Sequence, residues 1–579
     1  MSNTGMYLNM LHPGLLMILV GLVALFLPKK AARWCYIATP IVALLSLFGL
    51  NEKSAFEYKI TGDIKFYMIN CDDLAFFFVL AFCIIAVIAT IYSVQAETSH
   101  EMGAALIYAG CNMGVVLAGD CLSLIIFWEL AAISSAYLVY CRHALKSVRA
   151  AFRYILVHAF GGSMLLVGFL MYMSKYGTGL NELTDIAGTG TFWVIFIGVA
   201  VNAAVPPINS WLPDAYPEST LGGTVFLGSY TTKAAIYLMI RLFAGTDWLI
   251  WVGAFMAVYG IIMALLENDI RRLLSYHIIS QLGYMVAALA VGDMIGVGGA
   301  AAHAFTNIMY KGVLLMASGA VIYATGKRKI SELGGLGRKM PFTSACFLIA
   351  SLAIAGFPFL NGFASKALVM HAVEESGCTL AYWLLVAASI GTWLSITLKI
   401  NYFVFWGPTD KDIDVKPIPT NMKVAMGIGS AICIITGVAP KLMFNLLPGD
   451  PSVSVFTASH IFEYIFLFVG ASIIFFALRK KMAPHDELSL DFDWLYRKGL
   501  NKLVLVLSKL LYAIFDWCGT ISVNGVRKAS ALLSDPYLFM KKYEGWEDYS
   551  LRNEDKPVGN IVAASLIALL AMIVVGAVI

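Results

Sequence analysis

The chain has 579 residues, of which 60% are hydrophobic and 13% charged, and a formal net charge of +4. Soluble domains carry about 25% charged residues, so this balance excludes an ordinary soluble enzyme and points to an all-α polytopic membrane protein. No basic domain and no face of interleaved aromatic and basic residues is present, which excludes a nucleic-acid binder.

A bilayer crossing takes about 20 apolar residues. Candidate spans run over 10–28, 32–50, 73–95, 102–119, 121–141, 150–173, 191–209, 219–243, 247–267, 275–292, 295–324, 342–373, 379–406, 421–447, 457–479 and 558–579, about sixteen in all. The N-terminus shows no basic region and no cleavage site, so the first run is expected to be a retained helix. Residues 51–71, "NEKSAFEYKITGDIKFYMINC", alternate like strands and read as an external hairpin. Basic residues cluster after odd-numbered spans: Lys29, Lys30 and Arg33; Arg142, Lys146, Arg149 and Arg153; Arg271 and Arg272; Lys327, Arg328, Lys329, Arg338 and Lys339; Arg479, Lys480 and Lys481. The positive-inside rule then puts the N-terminus outside and these loops in the cytoplasm of a cell membrane.

Residues 482–557 differ from the rest. "DFDWLYRKGLNKLVLVLSKLLYAIFDWCG" is amphipathic and carries Trp494 and Trp517, as a helix lying in the cytoplasmic interface would. The expected organisation is an N-terminal part over 1–100 with the hairpin and two five-span units over 101–245 and 246–406. Spans 14 and 15 follow over 407–481, then the lateral segment over 482–557 and an anchor over 558–579. The ten cysteines contain no CxxC pair and sit mostly in apolar runs, as Cys83, Cys111, Cys346 and Cys433 do. They read as reduced small hydrophobes rather than disulfides or metal ligands.

Ionisable groups inside spans are few. They are Glu129 in "LIIFWELAAISSAYLVY", His158 in "YILVHAFGGS", Lys233 in "GSYTTKAAIYLMIRLF", His277 (with Gln281) in "LLSYHIISQLGYM", His303 and Lys311 (with Asn307) in "AAHAFTNIMYKGVLLMASG", Lys366 in "AGFPFLNGFASKALVM" and Lys399 in "WLSITLKINYFVFWG". A charge at the bilayer centre costs about 2.5–3.5 kcal/mol on insertion scales, so such groups face wet cavities and mark ion or proton paths. A group satisfied by a buried partner, or a lysine snorkelling from a span end, is the simpler alternative for His158 or Lys399.

Two spans look broken. "NAAVPPINSWLPDAYPEST" places four prolines in and after span 7, and "AGFPFLNGF" interrupts span 12. Irregular backbone at membrane depth is tolerated only where protein or water satisfies it. Spans 4–8 and 9–13 form two groups of five, and an odd number per group forces the second to be inverted. "VHAFGGSMLLVGF" in span 6 resembles "AHAFTNIMYKGVLLMASG" in span 11, and Lys233 in span 8 corresponds to Lys399 in span 13.

The stretches "FWELAAISSAYLV", "SWLPDAYPES", "SYTTKAAIYLMIR", "LLSYHIISQLGYM" and "GFASK" give the chain a resemblance to one superfamily. Over about residues 70–410 it resembles the antiporter-like membrane subunits of respiratory complex I (NADH–quinone oxidoreductase), their counterparts in Mrp-type cation/proton antiporters and those in membrane-bound hydrogenases. The resemblance implies proton movement through two linked half-channels, driven by redox chemistry or cation exchange elsewhere in a multisubunit complex. It puts the span 5 glutamate on Glu129, the span 8 lysine on Lys233, the span 11 pair on His303 and Lys311, and the span 12 lysine on Lys366. The family's span 7 lysine falls on Asn202, which leaves the first half-channel incomplete. His277 and Lys399 extend the candidate path.

No haem, iron–sulfur or nucleotide motif is present, so no cofactor is expected in this chain and any redox chemistry belongs to partners. The expected partners are other membrane subunits, lipids, protons and, by the resemblance, sodium. A non-pumping structural relative and a stand-alone secondary transporter are the competing readings. Asn202 favours the former, and the inverted repeat fits the latter.

Overall fold

The computed structural model describes residues 11–50, 56–61, 64–95, 98–180, 182–408, 412–449, 453–484, 491–494 and 501–534. The first ten residues, expected on the outer side, and the expected anchor over 558–579 lie outside the described residues, as do parts of the expected lateral segment. The chain divides into two units, one ending at Phe492 and one beginning at Asp493. Asp491, just ahead of the division, is tied into the first unit. The Tyr276 hydroxyl donates to Asp491 Oδ2 at 2.7 Å, and the Tyr259 hydroxyl donates to Oδ1.

The first unit is helical apart from one hairpin. In chain order it comprises α1 (Pro13–Phe26), α2 (Lys29–Leu47), β1 (Phe56–Thr61), β2 (Ile64–Ile69), α3 (Asp73–Tyr92), α4 (Ser99–Leu117), α5 (Cys121–Tyr140), α6 (Leu145–Tyr176), α7 (Gly190–Asn202), α8 (Trp211–Ala215), α9 (Leu221–Ser229), α10 (Thr231–Phe243), α11 (Leu249–Leu266), α12 (Ile270–Val291), α13 (Met294–Thr325), α14 (Pro341–Ala355), α15 (Asn361–Glu375), α16 (Thr379–Thr392), α17 (Thr420–Val438) and α18 (Ala458–Leu478). The expected hairpin is the antiparallel pair β1–β2.

Every expected span from 10–28 to 457–479 contains helix. Among the described residues, ten helices are long and apolar enough to cross a membrane, and α1, α7 and α14 are shorter apolar helices. Ten is fewer than the stretches read from the sequence. Breaks divide several of those stretches into pieces too short to cross alone, and the last stretch lies outside the described residues.

Acidic caps begin the long helices, satisfying amide groups that a helix start leaves free. Asp120 accepts from the Leu122 and Ser123 amides of α5, and its other oxygen accepts from the Tyr67 amide at 2.7 Å, tying the hairpin to that helix. Asp269 accepts from the Arg271 and Arg272 amides of α12, and Asp293 from the Gly296 amide of α13. Glycines set the closest packing. A Cβ on Gly253 of α11 would stand 2.5 Å from the Gly283 carbonyl oxygen of α12, and one on Gly283 would stand 2.4 Å from the Gly253 oxygen. Only glycine lets two backbones approach so closely.

α12 and α13 are the inner helices. α12 packs on α11, α13 and α15, and α13 on α3, α9, α14, α15 and α17. Both are almost wholly buried, so their polar groups meet protein rather than lipid.

Breaks occur in four places. α7 ends at Asn202, ahead of Ala204 at φ 53° and the two prolines 206 and 207. α9 and α10 part at Tyr230. α14 and α15 part at Gly356, whose φ of 88° lies in the left-handed region that favours glycine. α16 runs on as wide π-helical turns over Trp393–Trp406.

The second unit contains α19 (Asn501–Ser534), a 34-residue helix. Its described side chains are almost all exposed, and Val504–Ala531 has the length and apolarity of a membrane span. Length does not separate a spanning helix from an interfacial one, and Lys509, Asp516, Arg527 and Lys528 give this helix the charges of the second kind.

Candidate functional site

Lys233, Lys311 and Lys366 are fully buried, and Lys399 nearly so. Three of these ammonium groups rest on carbonyls that a helix break or helix end leaves free. Lys233 Nζ donates across the α9–α10 break to the Gly228 carbonyl at 2.8 Å, and to Thr232 Oγ1 at 3.2 Å. Lys366 Nζ donates to the Ala355 carbonyl at the end of α14 and to Ser389 Oγ of α16, both at 3.2 Å, and sits 4.9 Å from the Tyr284 ring centre. Lys399 Nζ donates to the Leu265 and Glu267 carbonyls at the end of α11, at 2.7 and 2.9 Å. Lys311 Nζ donates to the Leu274 carbonyl of α12 at 3.1 Å. None of the ion pairs among the described residues involves these four lysines.

Two histidines join neighbouring helices. His303 of α13 meets Ser365 Oγ of α15 at 2.9 Å through Nδ1 and Gln281 Oε1 of α12 at 3.2 Å through Nε2. Thr306 and Ser365 share a further hydrogen bond of 2.8 Å, and the Tyr310 hydroxyl donates to Gln281 at 3.3 Å. His277 Nε2 meets Ser395 Oγ in the π-helical turns at 2.9 Å. His277 lies within electrostatic reach of Lys311, Lys366 and Lys399, and Lys311 within that of Lys233. The buried charges thus influence one another from α10 to the π-helical turns.

The surroundings of Lys399 and Lys366 differ. At the Lys399 end, Glu267 pairs with Arg272 at 3.2 Å, and beyond it Glu218 pairs with Arg142 at 2.8 Å and with Arg328 at 3.0 Å. At the Lys366 end, a void of about 10 Å³ lies against Ser389, Tyr382, His460 and Glu463. The last three of these also line an open cleft of about 620 Å³ that holds His371, Glu374 and Glu375. Ser389, which accepts from Lys366 Nζ, thus lines a small void whose walls are partly shared with that cleft.

The α5–α8 region is arranged otherwise. Glu129 is half-buried, and its carboxylate fills the notch over Gly162 of α6, where a Cβ would stand 1.7 Å from Oε1. It makes no ion pair among the described residues, and Lys233 turns to Gly228 and Thr232 instead. Asn202, the last residue of α7, is buried beside His158 of α6. Among the described residues no three of His, Cys, Asp and Glu converge as a metal site needs.

Known proteins share this arrangement of helices. The family model described as NADH:quinone oxidoreductase/Mrp antiporter, TM matches residues 118–395. The protein MJ1309 of Methanocaldococcus jannaschii is 31% identical over 58% of this chain and 73% of its own length. The chain belongs to the NADH:quinone oxidoreductase/Mrp antiporter membrane-subunit family. A chain of the membrane-bound sulfane sulfur reductase, an archaeal respiratory membrane complex, superposes with a TM-score of 0.69 at 21% identity, over 98% of this chain and 100% of that one. A chain of the Mrp complex from Dietzia sp. DQ12-45-1b gives 0.69 at 20% identity, over 77% of this chain and 96% of that one. At such identities these likenesses speak to the fold.

In this family member the structure brings together the expected His277, His303, Lys311, Lys366 and Lys399 through α12, α13, α15 and the turns after α16. Lys233 sits at the neighbouring break, and Glu129 and Asn202 stand apart from the lysines. The hydroxyls of Thr232, Ser365, Ser389 and Ser395 do not announce themselves in the sequence. Each lies in an apolar helix, and serine and threonine are too common there to stand out until a lysine or histidine is seen touching them.

Proposed function

We propose that this chain is a proton-carrying membrane subunit of a multisubunit redox-driven or Mrp-type complex. Protons move along Lys233, Lys311, His277, His303, Lys366 and Lys399 with intervening hydroxyls and water. The observation that carries this reading is the bridging position of Lys366. It contacts the broken helix end, the α12 aromatic face and Ser389, which borders a small void that shares His460 and Glu463 with the open cleft. Lys399 serves the opposite, arginine-rich end.

The bundle has about sixteen spans, with α4–α10 and α11 through Trp406 as two inverted repeats and the breaks as their paired irregularities. The N-terminus and the His460 cleft face outward, and the basic loops face the cytoplasm. α19 lies in the cytoplasmic interface and straps neighbouring membrane subunits, which supply the redox centres or exchange the cation. The likeness to subunits of the Mrp complex and of the archaeal respiratory complex supports membrane-embedded partners. Two observations favour a non-pumping relative: Glu129 makes no ion pair among the described residues, and Asn202 carries no charge.

The test is proton translocation by the complex that co-purifies with this chain, reconstituted in vesicles. Loss of translocation in assembled Lys233→Met and Lys366→Met complexes supports the reading. Wild-type translocation in both overturns it.

A further inference from the structure

One titratable group in the first half has no part in the path through the lysines. His158 of α6 is 1% exposed, and among the described residues neither ring nitrogen has a partner at hydrogen-bond geometry. Its ring packs against those of Tyr154 and Trp211, with centroids 4.1 and 4.5 Å away. Asn202 lies beside it, and Asn202 Oδ1 is also buried without a partner. One helical turn along α6, at Gly162, stands the Glu129 carboxylate. A buried polar atom left bare costs about 1–3 kcal/mol. Three such atoms in one place are an expensive arrangement for packing alone, and they offer the two to four polar contacts that an internal water needs.

The sequence repeats this histidine in a working context. "HAF" occurs at 158–160 and again at 303–305. Both copies lie in 32-residue helices, α6 and α13, and each helix is followed by a broken one. The second copy is wired into its neighbours: His303 is bonded to Ser365 and Gln281. The first copy keeps both nitrogens free. A route toward Lys233 also exists. The Tyr154 hydroxyl donates to Ser135 at 3.0 Å, Thr231 Oγ1 shares a hydrogen bond of 2.6 Å with the Tyr108 hydroxyl, and Thr232 accepts from Lys233 Nζ.

We propose that His158 is the proton-carrying base of the first half-path, with Asn202 orienting it, and that it exchanges protons with Lys233 through the hydroxyls and water that lie between them. The proposal rests on the reading that the chain moves protons. In the step itself, an internal water passes one of its protons to a ring nitrogen of neutral His158 while it is reprotonated from its far side, and the imidazolium then releases the proton on its other nitrogen toward the neutral amine of Lys233. Water and ring end as they began, the amine becomes an ammonium, and one proton has moved. Imidazole suits this because its two nitrogens are separately protonated. Asn202 Oδ1, bare in the structure, stands ready to accept an N–H of the imidazolium on its side, and the Tyr154 and Trp211 rings lie within the roughly 6 Å over which aromatic faces attract a cation.

The experiment uses the co-purified complex in vesicles, with assembly checked by subunit composition and Lys366→Met as the reference. His158→Gln keeps shape and hydrogen bonding but cannot carry a proton, and it should lower translocation by about 100-fold. His158→Lys should keep a measurable rate. Adding Asn202→Lys to His158→Gln should restore translocation, because the lysine brings an ionisable nitrogen to the same spot. A purely structural histidine would not be rescued by a charge at residue 202. Wild-type rates in His158→Gln alongside a dead Lys366→Met overturn the role of His158 and leave the proton-carrier reading standing, whereas wild-type rates in both overturn that reading itself. If His158→Gln does not assemble, the other two variants decide: translocation in either supports the proposal, and loss in both refutes it.

Discussion

Replacing Lys366 by methionine isolates the ammonium group from everything else at the α14–α15 break. The methionine side chain is similar in length and apolar, so the change removes the charge without opening a large cavity. The Ala355 carbonyl does not become an orphan, because the Ser389 hydroxyl also donates to it, at 3.1 Å. The cation–π contact with Tyr284 is lost, worth about 0.5–2 kcal/mol. Against this, a buried charge is replaced by an apolar group, which is often neutral or stabilising. Assembly should therefore survive. Transport should not, since a positioned proton-transfer group contributes about 10²–10⁴-fold, equivalent to about 3–5 kcal/mol on the transfer barrier. The assay is coupled proton translocation in vesicles, normalised to assembled complex and to the driving reaction. A Lys366→Met complex that assembles and translocates within about twofold of wild type, far inside the expected range, would refute the path through Lys366.

Ser389→Ala should give an intermediate loss of translocation, because Lys366 keeps the Ala355 carbonyl and the Tyr284 face but loses its hydroxyl step toward the cleft; a rate equal to that of Lys366→Met would count against this order of steps. Glu129→Gln should retain most translocation, since the carboxylate has no ion-pair partner among the described residues, and equal damage from Glu129→Gln and Lys366→Met would show the first half working through the acid. Gly253→Val should destabilise the α11–α12 contact by about 1–3 kcal/mol or more, as overpacking does, lowering the thermal midpoint of the detergent-solubilised complex; an unchanged midpoint would contradict the backbone approach seen there. Cys518, exposed on α19, should react with an impermeant maleimide in vesicles exposing the cytoplasmic face and not in right-side-out ones, with Cys518→Ser as the control; the reverse pattern would overturn the proposed orientation.

Helix positions were legible in the sequence because apolar runs of about 20 residues have few other uses. The β1–β2 hairpin was legible because its residues alternate. The breaks divide by kind. Those after α7 and α14 are marked in the sequence by prolines or by the Gly-Phe-Pro stretch. The α9–α10 break and the π-helical turns around Lys399 carry no such mark, because "GSYTTK" and "WLSITLKINYF" hold neither proline nor a helix-stopping glycine pair. At the first, Lys233 occupies the Gly228 carbonyl beside the break, and at the second, Lys399 is drawn to the carbonyls at the end of α11. The site was legible as a set of charges in apolar runs but not as a network. Ser365, Ser389 and Ser395 look like helix filler in one dimension and become bridges only once α12, α13, α15 and α16 are brought side by side. His158 was visible as an intramembrane histidine, and its bare nitrogens beside Asn202 could be seen only in three dimensions.

The way the lysines are satisfied limits what they can do. A lysine paired with a buried carboxylate is locked, because removing its proton strands the acid's charge. A lysine resting on carbonyl and hydroxyl oxygens is not locked in this way. The oxygens solvate the ammonium but cannot take its proton, and the neutral amine leaves behind only dipoles that other donors satisfy, as Ser389 does for Ala355. Helix breaks supply such oxygens at membrane depth without importing an anion, which gives a physical reason for breaks and lysines to coincide at Lys233 and Lys366. Since no carboxylate is paired with them, repulsion between successive ammonium groups is the main interaction left to couple their occupancy. Two unit charges about 10 Å apart repel by about 1.7 kcal/mol at an effective dielectric constant of about 20, enough to shift a neighbour's proton equilibrium by more than tenfold. On the proposed path, a proton arriving at one lysine would therefore make the next more ready to release its own, which favours successive displacement over the passage of one proton along its length.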